Sequence, residues 1–146
     1  MKIWRERVSV IVRHQGAILA FRATDPTTQV DYVFLPGGGI EGGESREQAA
    51  IRECLEETGY QVRLNLQSEF VREYDFAWDG QMYACRTWFY AAEVIQQTHR
   101  HVRDASYHRG VLWVPEAEAE AVFSYHPEIL NAVRHFLGSS KASNQG

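Results

Sequence analysis

The first stretch of the chain alternates. Val8, Val10 and Val12 are interleaved with Arg7, Ser9 and Arg13, with Ile11 as the exception, and this period of two predicts a strand with one buried face. Gln15-Gly16 makes a turn and Ala17 to Ala23 a second strand, so the two form a hairpin. Residues 24–31 are polar, contain Pro26 and read as a loop. Tyr32 to Leu35 is a short strand stopped by Pro36 and the glycines after it. A helical pattern then occupies residues 45–58. Ser45 and Gln48 have the spacing of a capping box, and Gly59 supplies the C-terminal stop. Residues 61–77 are extended, Asp79-Gly80 is a hairpin turn, and Met82 to Val94 is a long β-rich run. Residues 96–109 form a polar loop ahead of a short strand at Val111 to Val114. Pro115 starts an Ala/Glu-rich helix. A last helix over 127–137 carries Ile129, Leu130, Val133, Phe136 and Leu137 on one side. There is neither a repeat nor an interdomain linker. One domain over 1–137 with a flexible tail at 138–146 is expected, and strands mixed with three helices predict a sheet between helical layers.

Composition adds limits. A chain of 146 residues is the size of one domain, and such a domain buries enough surface to hold without a disulfide staple. The apolar fraction of 45% and charged fraction of 23% exclude a disordered, collagenous or coiled-coil chain. A net charge of −4 gives no footprint for general nucleic-acid binding. Cys54 and Cys85 cannot make a disulfide framework, and the Cys/His spacing matches no zinc module. Charges in MKIWRERVSV interrupt any signal-peptide core, and no run is long and apolar enough for a membrane span. A cytoplasmic protein with no membrane partner is the expectation.

The predicted first helix has two sides. At about 100° per residue, Ala50, Ile51, Cys54 and Leu55 make a core stripe, and Glu53, Glu56 and Glu57 cluster elsewhere within about 100°. The carboxylates are spaced i, i+3 and i, i+4, so they can reach one point, where like charges destabilise a helix by a few tenths of a kcal/mol per pair. Arg52 can offset part of that. A bound cation would offset the rest, and oxygen donors without Cys or His suit Mg²⁺ or Mn²⁺, which take phosphate oxygens as further ligands. A solvated acidic face is the alternative that helix geometry alone leaves open.

The segment Gly38 to Tyr60 reads GGIEGGESREQAAIRECLEETGY. Its order is Gly38, five residues, Glu44, seven residues, Arg52-Glu53, apolar Cys54, one residue, Glu56-Glu57, one residue, Gly59 and Tyr60. This resembles the signature box of the Nudix hydrolase family. Seven fixed positions at about 6% usage each match by chance on the order of 10⁻⁹ per window, which sets accident aside. Cys54 and Tyr60 stand where the family prefers aliphatic residues; Phe34-Leu35-Pro36-Gly37 before the box also resembles the family.

The resemblance implies an α+β Nudix fold, a mixed β-sheet sandwiched between helices (an α/β/α sandwich). It implies metal-dependent hydrolysis of the pyrophosphate linkage of a nucleoside diphosphate derivative, a nucleoside triphosphate or related nucleotide. Mg²⁺ is the implied ion, with Mn²⁺ as a substitute. Glu56 and Glu57 match the principal metal ligands, Glu53 a further ligand or the general base, and the Gly37 carbonyl a main-chain ligand. Arg52 and Glu44 match a salt-bridge pair that orients the helix and complete the catalytic set with Glu53. Gly38 matches a close approach of chain and metal, and Gly59 a left-handed helix end. The implied partner is a small-molecule nucleotide, and a homodimer is compatible with the family. A non-catalytic nucleotide-sensing module on the same fold is the rival, and the intact Glu53, Glu56 and Glu57 set argues against it.

Outside the box the family takes a last carboxylate from a late loop. Asp104 and Glu93 are the acids on offer, and the lack of an acid at Tyr107, His108 and Arg109 favours Glu53 as base. His99, Arg100, His101, Arg103, His108 and Arg109 make a locally basic loop, with Arg100 and Arg103 as candidate phosphate contacts. Trp78, beside the Asp79-Gly80 turn, is the tryptophan expected to be exposed and to stack on a base, while Trp88 and Trp113 fall in strand patterns. Tyr74, Asp75 and Phe76 fit no substrate-specific subgroup of the family.

Overall fold

The computed structural model describes residues 1–98 and 106–144, with 139–144 by backbone course alone. In chain order the elements are β1 (Lys2–His14), β2 (Ala17–Thr24), β3 (Asp31–Phe34), β4 (Gly37–Gly39), α1 (Arg46–Thr58), β5 (Tyr60–Trp78), β6 (Gln81–Gln97), β7 (His108–Pro115), α2 (Glu116–Val122) and α3 (Pro127–Asn144). The strand order is β3-β2-β1-β6-β5, with β4 on β1 and β7 on β2. β1 runs parallel to β6 from Lys2↔Met82 to Val12↔Ala92. It pairs antiparallel with β4 and, through Arg13 and His14, with β2. The sheet is therefore mixed, as the resemblance implies.

Helices cover both faces. Val8, Val10, Val12 and Leu19 pack with Ala49, Ala50 and Cys54 of α1. Ile11, Ile18, Ala20 and Phe89 pack on the other side with Phe123 and with Ile129, Val133 and Phe136 of α3. Ile11 breaks the alternation because its face is buried too; a strand covered on both sides has no water-facing side to be polar. Full burial of each such side chain contributes about 1.5–3 kcal/mol, so the two layers together hold β1 at the centre. Among the described residues no helix is long and apolar enough to cross a membrane.

Turn chemistry follows the sequence. Gln15-Gly16 and Asp79-Gly80 both have positive φ at each central residue (50° and 79°, 49° and 76°), the mark of a type I′ hairpin turn. The glycines after Pro36 behave otherwise than expected. They do not merely stop a strand; Gly37–Gly39 form β4 against Arg7, Val8 and Ser9. A Cβ on Gly37 would lie 2.2 Å from the Val8 carbonyl oxygen, so only glycine lets the two backbones meet. α3 is also longer than the helix expected over 127–137, and runs to Asn144. No proline follows Leu137 to end the helical course.

One carboxylate ties two loops together. Asp25, buried at the end of β2, accepts hydrogen bonds from the backbone N–H groups of Thr27 (2.9 Å), Thr28 (3.3 Å) and Asp79 (3.2 Å). Thr27 Oγ1 in turn donates to Asp79 Oδ1 at 2.8 Å. The β2–β3 loop thereby holds the β5–β6 turn in place. Burial opposes the Asp25 charge, but the N–H groups of Thr27, Asp79 and Thr28 outweigh it and hold the carboxyl below its ordinary range. A depressed folded pKa stabilises the fold above the ordinary value of about 3.8 and loses that contribution as pH falls through the folded value. Asp25→Ala is expected to lower the thermal midpoint at neutral pH. The gap from the wild type should narrow in melts taken below pH 3.8, and a gap independent of pH would show that the charge has no part in it.

Candidate active site

The acidic face begins with the way α1 is held. At its start Ser45 Oγ accepts from the Gln48 N–H at 3.0 Å, and Gln48 Oε1 accepts from the Ser45 N–H at 2.9 Å, which closes the capping box. At its end Gly59 adopts φ 78° and donates its N–H to the Leu55 carbonyl at 2.9 Å. The helix register is fixed at both ends, and with it the side on which Arg52, Glu53, Glu56 and Glu57 emerge.

Arg52 is the hub. Its Nε and Nη2 grip Glu44 at 2.6 and 3.0 Å, and Nη2 also donates to the Gly39 carbonyl at 3.2 Å. Nη1 donates to Glu53 Oε1 at 2.8 Å and to Glu56 Oε2 at 3.2 Å. The Glu44 hydrogen bond comes first among the effects that hold the guanidinium charged, with Glu53 next, and together they overcome its burial. In return Arg52, with the Glu41 N–H, holds Glu44 below the usual carboxylate range. The expected salt bridge between Arg52 and Glu44 is present.

Glu57 is held differently. It is buried, and its Oε1 accepts from the Gly37 N–H at 2.8 Å. Its own carbonyl accepts from His108 Nε2 at 2.9 Å, while Gly110 N–H donates to His108 Nδ1 at 3.2 Å. Those partners fix the tautomer with the proton on Nε2. His108 stacks on Phe21 at 4.9 Å and 2°, so this histidine anchors the helix end. The carboxylates do not all meet at one point: among the described residues no group of three Glu, Asp, His or Cys is placed to close on an ion. Arg52 lies between Glu53 and Glu56 and separates their charges, while Glu57 turns to Gly37.

Gly38 explains the position of Glu53. A Cβ there would lie 2.6–2.8 Å from the Glu53 carboxylate, so this buried side chain lies directly against β4. Buried oxygen donors beside a strand without side chains fit a hard divalent ion. Magnesium takes one or two carboxylates and completes its shell with water and substrate phosphate, so it does not need a closed three-carboxylate cage.

Glu53, Glu57 and Gly37–Gly39 line one end of a cavity of about 380 Å³. Phe34, Phe76, Trp78, Tyr107 and Tyr125 form its aromatic wall. Trp78 is half-buried and not exposed as expected. It packs edge-on to Phe34 at 5.3 Å and to Tyr107 at 5.7 Å, which places it where a base could stack. Burial pushes the Tyr125 hydroxyl up, so it remains a neutral phenol. Trp88 and Trp113 are half-buried: Arg46 lies over the Trp88 ring, and Trp113 donates its indole N–H to the Tyr60 hydroxyl at 3.3 Å. Trp4 is the exposed tryptophan.

Glu93 pairs with Arg63 at 2.6 Å on the exposed face of the β5–β6 hairpin and does not line the cavity. Arg100, Arg103, His99, His101 and Asp104 lie outside the described residues. Burial pushes the Cys54 thiol up to about 12, and that of Cys85 upward as well, so both are held as thiols. Sequence reasoning missed Arg5, Ser9, Tyr107 and Tyr125 as cavity residues, took Arg7 for an ordinary polar position and found no role for Tyr74.

Comparison with known proteins agrees with this fold. A family model described as the NUDIX domain matches residues 4–136. A curated Bacillus subtilis (strain 168) protein, provisionally named an 8-oxo-dGTP diphosphatase, is 61% identical over 31 residues, and the match spans 21% of either chain. Among solved structures, a NUDIX hydrolase from Nitrosomonas europaea superposes with a TM-score of 0.70 at 21% identity, over 92% of this chain and 89% of that one. The E. coli ORF135 protein gives 0.65 at 23% identity, over 97% and 94%. A C. elegans Ap4A hydrolase gives 0.66 at 19%, over 94% and 98%. At these identities the structural likeness is one of fold.

The glycines of β4 separate two kinds of damage. Gly38→Ala meets only the far end of the Glu53 side chain, so the fold should survive with Glu53 displaced, and turnover should fall by about 10² for a lost catalytic group. Gly37→Ala meets the Val8 backbone at 2.2 Å and should destabilise the fold itself by about 1–3 kcal/mol, in the range of an overpacked site. Urea titration beside an activity assay checks both. A Gly38→Ala protein with wild-type turnover would remove Glu53 from the reaction.

Proposed function

The chain belongs to the Nudix hydrolase family, and from that membership and the cavity we propose that it is a divalent-metal-dependent pyrophosphohydrolase acting on single nucleotides, nucleoside triphosphates above all. The observation that carries this reading is one cavity with buried carboxylates at one end and an aromatic wall along its side. Carboxylates suit the ion that a phosphate chain brings with it, and aromatic rings suit a base. A volume of about 380 Å³ is at the small end for ligand sites. It favours one nucleotide, as in the 8-oxo-dGTP activity named for the Bacillus relative, over the two nucleosides of the Ap4A named for the C. elegans protein.

Glu56, Glu57, Glu53 and the Gly37 carbonyl would hold Mg²⁺ or Mn²⁺. When bound, the ion polarises the phosphoryl oxygens and neutralises the charge that develops on them. Glu53 accepts the proton of the attacking water at its carboxylate; of the loop acids weighed for that role, Glu93 is on another surface and Asp104 lies outside the described residues. Arg52 keeps Glu53 in place through Nη1. Glu44 keeps Arg52 in place. Gly37 fixes Glu57 through its N–H, and Trp78 with Phe34 offers the base a stacking surface.

A screen of nucleotides with Mg²⁺, following release of phosphate, pyrophosphate or nucleoside monophosphate, tests the reading. Activity should vanish with a chelator and return with Mg²⁺ or Mn²⁺. Glu53→Gln should cut kcat by about 10² or more with nucleotide binding near normal. Glu57→Gln should weaken metal binding as well, so that turnover half-saturates at a higher metal concentration. Full turnover in chelator, or wild-type turnover in both variants at saturating metal, would sink it.

A further inference from the structure

The cavity has a basic side that the carboxylates do not explain. Arg5, Arg7 and Ser9 share the face of β1 opposite Val8 and Val10, which pack under α1, and all three line the cavity. Arg7 lies between Gly39 on one neighbouring strand and Thr87 on the other. The Tyr74 hydroxyl, 2.9 Å from Thr87 Oγ1, favours its charged form. Arg5 lies over the Tyr83 ring at 5.2 Å, with Nη2 2.9 Å from where a Cβ on Gly39 would be. Among the described residues neither guanidinium takes part in an ion pair within 4.0 Å, whereas Arg52, on the other side of β4, is held by Glu44, Glu53 and Glu56. Burial opposes the Arg7 charge, yet Tyr74, Cys85 and Glu57 around it hold its pKa above the ordinary value.

Two guanidinium groups on a cavity wall, with Glu57 acting on Arg7 only from beyond ion-pair distance and no carboxylate of the described residues within 4.0 Å of either, suit an anion from outside. The planar fork of arginine matches two phosphate oxygens at once. Gly38 abuts the Glu53 carboxylate and Gly39 the Arg5 guanidinium, so consecutive residues of β4 divide the acidic end of the cavity from the basic one. We propose that Arg5 and Arg7 are the phosphate receptor of this cavity, gripping a phosphate of the nucleotide other than the one held at the Glu53–Glu57 end. The proposal rests on the nucleotide reading above and names a part of that site. It places phosphate recognition on a central strand and makes no demand on the loop that carries Arg100 and Arg103.

Calorimetric titration with inorganic pyrophosphate in chelator isolates this contact from metal and from turnover. The wild type should bind. Arg5→Ala, at an exposed position, should weaken binding about tenfold, the worth of one charge-assisted contact, with an unchanged melting temperature as the folding control. Arg7→Lys keeps the charge and loses the fork, and should weaken it severalfold. In the turnover assay both should raise KM for the nucleotide by a similar factor with kcat within about twofold, since a ground-state contact is lost. No binding by the wild type, or equal affinity in wild type and Arg5→Ala, overturns the proposal. So does intact pyrophosphate affinity with lost discrimination between guanosine and adenosine nucleotides, which would assign the guanidiniums to a base edge. A wild type that turns over no nucleotide but loses pyrophosphate affinity on Arg5→Ala would sink the hydrolase reading and leave the receptor standing.

Discussion

The acidic face of α1 is gathered by a single guanidinium. Glu44, Glu53 and Glu56 are drawn together by Arg52, with Glu41 a little further off at 3.7 Å. Like-charge pairs on a helix cost a few tenths of a kcal/mol each, whereas a hydrogen bond to a charged group contributes about 1.5–3 kcal/mol. One arginine with several such bonds therefore outweighs the repulsion it gathers. It also joins distant parts of the chain: the loop before α1 through Glu44, the helix through Glu53 and Glu56, and β4 through the Gly39 carbonyl. Glu57 is stabilised apart from this network, by the Gly37 N–H, and so couples helix and strand a second time.

Much of this was legible in the sequence because it is local. The capping box, the helix stop at Gly59 and the two type I′ turns depend on a few neighbouring residues, and each is found as read. The alternation of Val8, Val10 and Val12 was correct; on α1 Ala50 and Cys54 of the expected core stripe are buried, but Ile51 and Leu55 are only half-buried, and Glu53 and Glu57 of the acidic face are buried in their stead. The Arg52–Glu44 pair was anticipated because the resemblance of the box to the family's implies it. Cys54 takes the aliphatic place in the box without penalty, buried beneath the sheet as a small hydrophobe.

What was not legible depends on contacts far apart in the chain. Gly37–Gly39 read as a break because nothing local shows that Val8 lies 2.2 Å from the missing Cβ. Asp25 read as an ordinary loop acid, since its partner at Asp79 is 54 residues away. Trp78 read as exposed because the turn beside it is; that the turn is held over Phe34 and Tyr107 follows from packing. Arg5 and Arg7 passed as the wet side of a half-buried strand. The one available signal was Ile11, whose place on that same side meant that the face is covered over the later part of the strand, beyond the exposed Arg5. A polar residue on a strand covered on both faces must line a cavity or meet a partner.

β4 gives the site its form. A strand with side chains would keep α1 and β1 apart, and the carboxylates of one would not share a cavity with the guanidiniums of the other. Three glycines let Glu53 approach from one side and Arg5 from the other, each within 3 Å of an absent Cβ. Opposite charges held this close would ordinarily collapse into an ion pair. Here Glu53 is already taken by Arg52, and the strand backbone stands between it and Arg5. The cavity thus keeps an acidic end and a basic side at the same time, and a polyanion with its cation answers both. The spacing of charge across β4 is set by what those three residues lack.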